Sequence, residues 1–62
     1  MYYQITVSKN GYHFFATAEH SINTRQQLDI VYNTLKDKFP SEEGYKISVT
    51  RWEKIGKFIE MN

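Results

Sequence analysis

YYQITVSKNGYHFFATAE, residues 2–19, contains two runs that alternate apolar and polar residues around the pair Asn10-Gly11. Aromatic, β-branched and Thr residues dominate both runs, which is typical of β-strands. Asn-Gly is the favoured pair for a type I′ turn, because both central positions of that turn need a positive φ. The segment therefore predicts a β-hairpin with strands at residues 2–9 and 12–19.

The two-residue turn sets the pairing of the two strands and divides the hairpin into two faces, starting with Lys9 opposite Tyr12. One face is apolar and contains the pairs Val7 with Phe14, Ile5 with Ala16 and Tyr3 with Ala18. The other face contains Ser8 with His13, Thr6 with Phe15, Gln4 with Thr17 and Tyr2 with Glu19. A shift of one residue would mix the faces, so the alternation favours this register, with Phe15 on the side away from the core.

An amphipathic helix is predicted after the hairpin. Asn23 or Thr24 can cap its start, with Gln26 or Gln27 as the partner in a capping box, and Pro40 ends it. Five apolar residues form one stripe at the helical period: Leu28, Val31, Tyr32, Leu35 and Phe39. This stripe is expected to cover the apolar face of the hairpin, because sheet and helix must bury their apolar sides together.

A third strand is predicted at Tyr45–Trp52, where Tyr45, Ile47 and Val49 alternate with more polar residues. A right-handed helical crossover lays it parallel to the second strand and beside the first, in the order 2-1-3. The C-terminal end allows two interpretations. Either a turn leads to a short fourth strand at residues 58–61, or Trp52, Ile55 and Ile59 lie at helical spacing. Gly56 disfavours the helix by about 1 kcal/mol relative to Ala, so the hairpin is preferred.

These elements predict one α+β domain over residues 1–62. Its sheet has three or four strands, is predominantly antiparallel and carries one helix packed on one face. The predicted core consists of Tyr3, Ile5, Val7, Phe14, Ala16, Ala18, Leu28, Val31, Tyr32, Leu35, Phe39, Ile47 and Val49.

Composition argues against several classes of function. The chain has 62 residues, no Cys and a formal net charge of +1, so it contains no disulfide, no thiolate metal site and no strong charge to attract nucleic acid. No signal-peptide pattern or membrane-length apolar run is present, and we expect a cytoplasmic protein. His13 and His20 lack a third ligand at suitable spacing, and no nucleophile or phosphate-binding motif occurs. We therefore expect no enzyme activity, no metal and no cofactor.

The polar face of the predicted sheet suggests a binding surface. In the order 2-1-3 it presents Phe15 and Trp52 together with Tyr2 and Thr50, and His13 lies at its rim. Clustered exposed aromatic residues often mark interaction sites, and Trp and Tyr are frequent in binding hot spots. The leading hypothesis is an interaction with another protein or with a second copy of the chain. The edge strand at residues 12–19 offers a second mode, the addition of a partner strand.

A nucleic-acid-binding module is the alternative function. Lys46, Arg51, Lys54 and Lys57 lie close to Trp52 along the chain. Cations together with a stacking ring are what single-stranded nucleic acid requires. This hypothesis predicts binding that weakens steeply with added salt.

The order of elements, ending in Ile47-Ser48-Val49-Thr50-Arg51-Trp52, resembles small bacteriophage- and prophage-encoded proteins of the ββαβ type. The resemblance covers element order along most of the chain and no residue-by-residue motif. It implies an accessory or regulatory protein that acts on host machinery in the cytoplasm of an infected bacterium.

Overall fold

The computed structural model describes residues 1–61 as one open antiparallel sheet with a single helix on one face. The strands are β1 (Tyr2–Lys9), β2 (Tyr12–Ala16), β3 (Tyr45–Trp52) and β4 (Gly56–Ile59), and they lie in the order β2-β1-β3-β4. The helix α1 is Arg25–Lys38, and one turn of 3-10 helix occupies Ser41–Glu43. The predicted α+β class, the strand order and the C-terminal hairpin are confirmed, although β4 starts two residues before the predicted residues 58–61.

The first hairpin begins as predicted and then changes register at a β-bulge. Asn10 and Gly11 both have positive φ, 51° and 86°, and Lys9 lies opposite Tyr12. Beyond the next pair, however, Val7 lies opposite Phe15 instead of Phe14. Phe14 is the extra residue that a bulge inserts into one strand, and everything after it moves to the other face. The predicted register is therefore wrong from Phe14 onward.

After β2 the chain continues along the edge of β1 without forming a regular strand. The Thr17 N–H donates to the Ile5 C=O (2.9 Å), and the Thr17 Oγ1 accepts a hydrogen bond from the Ile5 N–H (3.0 Å). Farther along, the Tyr3 N–H donates to the Ile22 C=O (2.8 Å). The strand predicted over residues 12–19 thus ends at Ala16, and Ile22 replaces Ala18 as the partner of Tyr3.

Thr24 starts the helix with a complete capping box. Its Oγ1 accepts a hydrogen bond from the Gln27 N–H (3.1 Å), and the Gln27 Oε1 accepts one from the Thr24 N–H (3.3 Å). Each bond satisfies a backbone donor that a helix end would leave free. The helix ends at Lys38, before Pro40 as predicted.

The core lies between α1 and the face of the sheet that carries Tyr3, Ile5 and Val49. Its buried residues are Tyr3, Ile5, Val7, Ile22, Leu28 and Val49, against which Val31, Tyr32, Leu35, Ile47, Ile59 and Met61 pack half-buried. The bulge and the short β2 correct the prediction in three places, because Phe14, Ala16 and Ala18 are exposed. Ile22 was not among the predicted core residues, since it lies in a loop without periodicity.

Candidate interaction surface

The face of the sheet opposite α1, called the outer face below, is set by the pairing of β3 with its two neighbours. Tyr2 lies opposite Trp52 and Gln4 opposite Thr50. On the other side of β3, Phe58 lies opposite Thr50. Since directly opposite residues share a face, Tyr2, Trp52 and Phe58 all lie on the outer face with Thr50 between them. We call these three side chains the outer aromatic patch.

Trp52 is held in place by three neighbours. Its Nε1–H donates to the Gln4 Oε1 at 3.0 Å, and its ring stacks on that of Tyr2 with centroids 6.5 Å apart. On the β4 side, a Cβ added to Gly56 would lie 2.7 Å from Cζ3 of the indole. The ring therefore lies flat over the Gly56 backbone and is half-buried. A fixed aromatic ring with its polar atom already satisfied is a low-entropy contact surface.

Phe58 is the most exposed large apolar residue of residues 1–61, with 84% of its surface accessible. Its neighbour across the strands is Thr50, and among the described residues its ring has no aromatic partner within stacking distance. A phenylalanine ring carries roughly 150–250 Å² of surface that water disfavours. Phe58 is thus the part of the outer aromatic patch that residues 1–61 leave uncovered.

Phe15 does not belong to this surface, which corrects the sequence-based expectation. It lies opposite Val7, and its ring centroid is 5.4 Å from that of Phe39 at the end of α1. Phe14 and Tyr45 complete a cluster of edge-to-face rings around Phe39 on the helix side of the sheet. The predicted pairing of Phe15 with Trp52 on one polar face is therefore wrong, and the bulge at Phe14 is the cause.

The other predicted interaction residues are placed as follows. Tyr2 and Thr50 adjoin Trp52 on the outer face, as expected. His13 also faces outward, opposite Ser8, but Ser8 is six positions along β1 from Tyr2. At about 3.3 Å per residue, His13 lies roughly 20 Å from the outer aromatic patch. His20 packs instead against Tyr2, with ring centroids 4.4 Å apart.

The basic residues of the alternative hypothesis do not converge on Trp52. Arg51 and Lys57 lie opposite each other on the helix side of the sheet, whereas Trp52 points outward. The Arg51 Nη2 is already paired with the Glu53 Oε1 at 2.8 Å. Lys46 shares the outer face with Trp52 but is six residues away along β3, and Lys54 lies in the loop between β3 and β4.

The sequence-based prediction did not place Phe58 on this surface, because the predicted fourth strand began at residue 58 whereas β4 begins at Gly56. The signal was available: a three-residue loop after Trp52 places Gly56 opposite Trp52 and Phe58 opposite Thr50. Alternation then puts Phe58 on the polar face. Gly56 gives the same indication, because a residue opposite a large flat ring needs to be small.

Comparison of the chain with known protein families, with characterised proteins and with solved structures finds no match. Within residues 1–61, no helix has the length and apolar character needed to cross a membrane. The same residues contain no group of three or more His, Cys, Asp or Glu side chains arranged to hold a metal ion.

Proposed function

We propose that the protein is a small non-enzymatic interaction module that binds a second copy of itself or another protein through the outer aromatic patch. The observation that carries this proposal is Phe58, which is 84% exposed beside the fixed ring of Trp52. Other large apolar side chains such as Tyr12 and Ile30 are also exposed, and what distinguishes Phe58 is its position near Trp52 on the outer face. An uncovered aromatic next to a rigid one is the arrangement found at binding hot spots.

The biological setting of this interaction is proposed from the resemblance to small phage and prophage proteins. In that setting the partner is a protein of the host bacterium, and the module acts in the host cytoplasm as an accessory or regulatory factor. A small domain with an open aromatic face and little net charge suits this role, because it can bind by apolar contact without strong electrostatic steering.

The nucleic-acid alternative lacks a comparable observation. Arg51 and Lys57 lie on the face opposite to Trp52, and Lys46 is distant from it. A strand binding along the outer face would therefore find the stacking ring without a continuous row of cations beside it.

Replacing Phe58 with Thr tests the proposal, since Thr suits a strand and removes the ring. Tyr12→Thr is the matched control, because Tyr12 is an 80% exposed aromatic on another edge strand, away from the patch. We expect Phe58→Thr to weaken self-association, measured by sedimentation equilibrium, or capture of a bacterial partner by at least about tenfold. Tyr12→Thr should leave both unchanged. Equal binding by wild type and Phe58→Thr would contradict the proposal.

A further inference from the structure

One edge of β3 is only half covered by β4. β3 has eight residues, Tyr45–Trp52, and β4 pairs only with its second half, from Val49 to Trp52. After Ile59 the chain leaves the strand path, and Met61 packs against the core. Within residues 1–61, the edge from Tyr45 to Ser48 is therefore open on the β4 side.

The backbone groups of Ile47 point to this open edge. In β1, Tyr3 and Ile5 direct their N–H and C=O groups toward the β2 side, where they bond to Ile22 and Thr17. Backbone groups alternate in direction along a strand, so Gln4 and Thr6 bond to Thr50 and Ser48 of β3. Ile47, the residue before Ser48, therefore points its backbone groups away from β1. Among residues 1–61, no strand lies opposite Ile47 on its free side.

A cleft follows the same edge. Its larger part, about 600 Å³, is lined by apolar side chains that include Tyr32 of α1, Ile47 of β3 and Phe58 of β4, together with the polar residues Lys46, Ser48 and Glu60. A smaller part of about 310 Å³ continues past Tyr32 and Ile47 to Phe39 and Tyr45. An extended chain placed here would put every second side chain onto apolar groups and its backbone beside Ile47.

The charged side chains that line the cleft are distributed unevenly between its two ends. Lys36 lines the end near Tyr45 and Lys46 lines both parts of the cleft, and within the described part of the chain neither forms an ion pair. Glu60 lines the other end, beyond the position where Ile59 pairs with Val49. A strand added antiparallel to β3 runs from the Glu60 end to the lysine end, so its C-terminal half lies beside the two cations.

We propose that this edge binds an extended segment of another polypeptide by strand addition, antiparallel to β3, with a carboxylate near its C-terminal end beside Lys36 and Lys46. The segment exchanges two backbone hydrogen bonds with Ile47 and places apolar side chains toward Tyr32. Its acidic group lies across from Lys46, where an opposite charge on a neighbouring strand is favourable. The cleft shares Phe58 with the outer aromatic patch, but strand addition uses the backbone of Ile47 and the two lysines and does not depend on binding through the patch.

The probe is the peptide acetyl-Val-Glu-Val with a free C-terminus, designed to lie opposite Ile47, Lys46 and Tyr45 in that order. Titration into the isotope-labelled protein should move the amide resonances of Tyr45 and Ile47 most. The Ile47 amide of the free protein should exchange with solvent rapidly, since no strand protects it. If that amide is protected without peptide, the edge is closed by the chain itself or by a second copy, and the proposal is wrong.

Two controls separate backbone pairing from charge. A probe with Pro in place of its first Val lacks the N–H that Ile47 would accept and should not bind. Lys36→Gln with Lys46→Gln should weaken binding about fivefold, whereas Lys54→Gln, which changes a lysine outside the cleft, should not. An amidated probe and a probe with Gln in place of Glu distinguish the terminal from the side-chain carboxylate. Equal binding by the proline probe, or no effect of the double lysine change, would overturn the proposal.

Discussion

At the scale of single residues, glycine determines how Trp52 lies on the outer face. Gly56 directly faces the indole, and any Cβ at this position would lie within 3 Å of ring carbons. The Nε1–H bond to Gln4 fixes the other side of the ring. The patch geometry therefore depends on a residue without a side chain.

Gly56→Ala should force the Trp52 ring away from the sheet and destabilise the fold by about 1–3 kcal/mol. The free energy of unfolding in urea measures the cost, and tryptophan fluorescence reports the ring movement. Combining Gly56→Ala with Trp52→Leu supplies the control, because the penalty should largely disappear once the ring is gone. A full penalty in the Trp52→Leu background would contradict the close approach.

A second single-residue effect is the hydrogen bond between the Ile5 N–H and the Thr17 hydroxyl. The hydroxyl oxygen accepts this bond in the position where the backbone carbonyl of a neighbouring strand would accept it. Thr17→Val keeps the shape of the side chain but leaves that N–H without its partner, so unfolding free energy should fall by about 1–3 kcal/mol. Thr34→Val is the matched control, since the Thr34 hydroxyl bonds to a helix carbonyl that is bonded or solvated without it. Equal losses for the two variants would show that Thr17 has no special role.

At the scale of elements, how much the sequence could predict depended on local signals. Asn10-Gly11 and Pro40 each act through neighbours a few residues away, and the turn and the helix end predicted from them are confirmed. Of the capping pairs that the sequence allows, Thr24 with Gln27 is the one that forms. The bulge could not be predicted, because Phe14 and Phe15 are identical apolar residues and either one can cover Val7. Which of the two rings lies opposite Val7 determines the face of the sheet on which Phe15 lies, and the predicted site included Phe15.

Fewer residues of α1 are completely buried than its apolar stripe suggests. Leu28 is completely buried, whereas the stripe residues Val31, Tyr32 and Leu35 are only half-buried. Leu28→Ala should therefore cost about 2–5 kcal/mol, a large part of the roughly 3–9 kcal/mol expected for a chain of this length. Ile30→Ala, at a 62% exposed position on the same helix, should change the melting temperature little. A small effect of Leu28→Ala would contradict the described packing.

At the scale of the whole molecule, as far as residues 1–61 describe it, one helix covers one side of a four-stranded sheet and the other side is open. The sequence predicted this architecture because alternation and helical periodicity each indicate which side chains must be covered. It predicted an aromatic binding face for the same reason but assigned Phe15 to it in place of Phe58. Pairing across the sheet, which joins residues distant in sequence, decides that assignment.

The division of aromatic residues between the two faces is tested most directly by the unfolding free energies of Phe15→Thr and Phe58→Thr in urea. Phe15 packs against Phe39 on the helix side, so its replacement should cost about 2 kcal/mol or more. Phe58 is exposed, so its replacement should change stability by less than about 0.5 kcal/mol. A large loss for Phe58→Thr together with a negligible loss for Phe15→Thr would contradict the described register and the binding surface built on it.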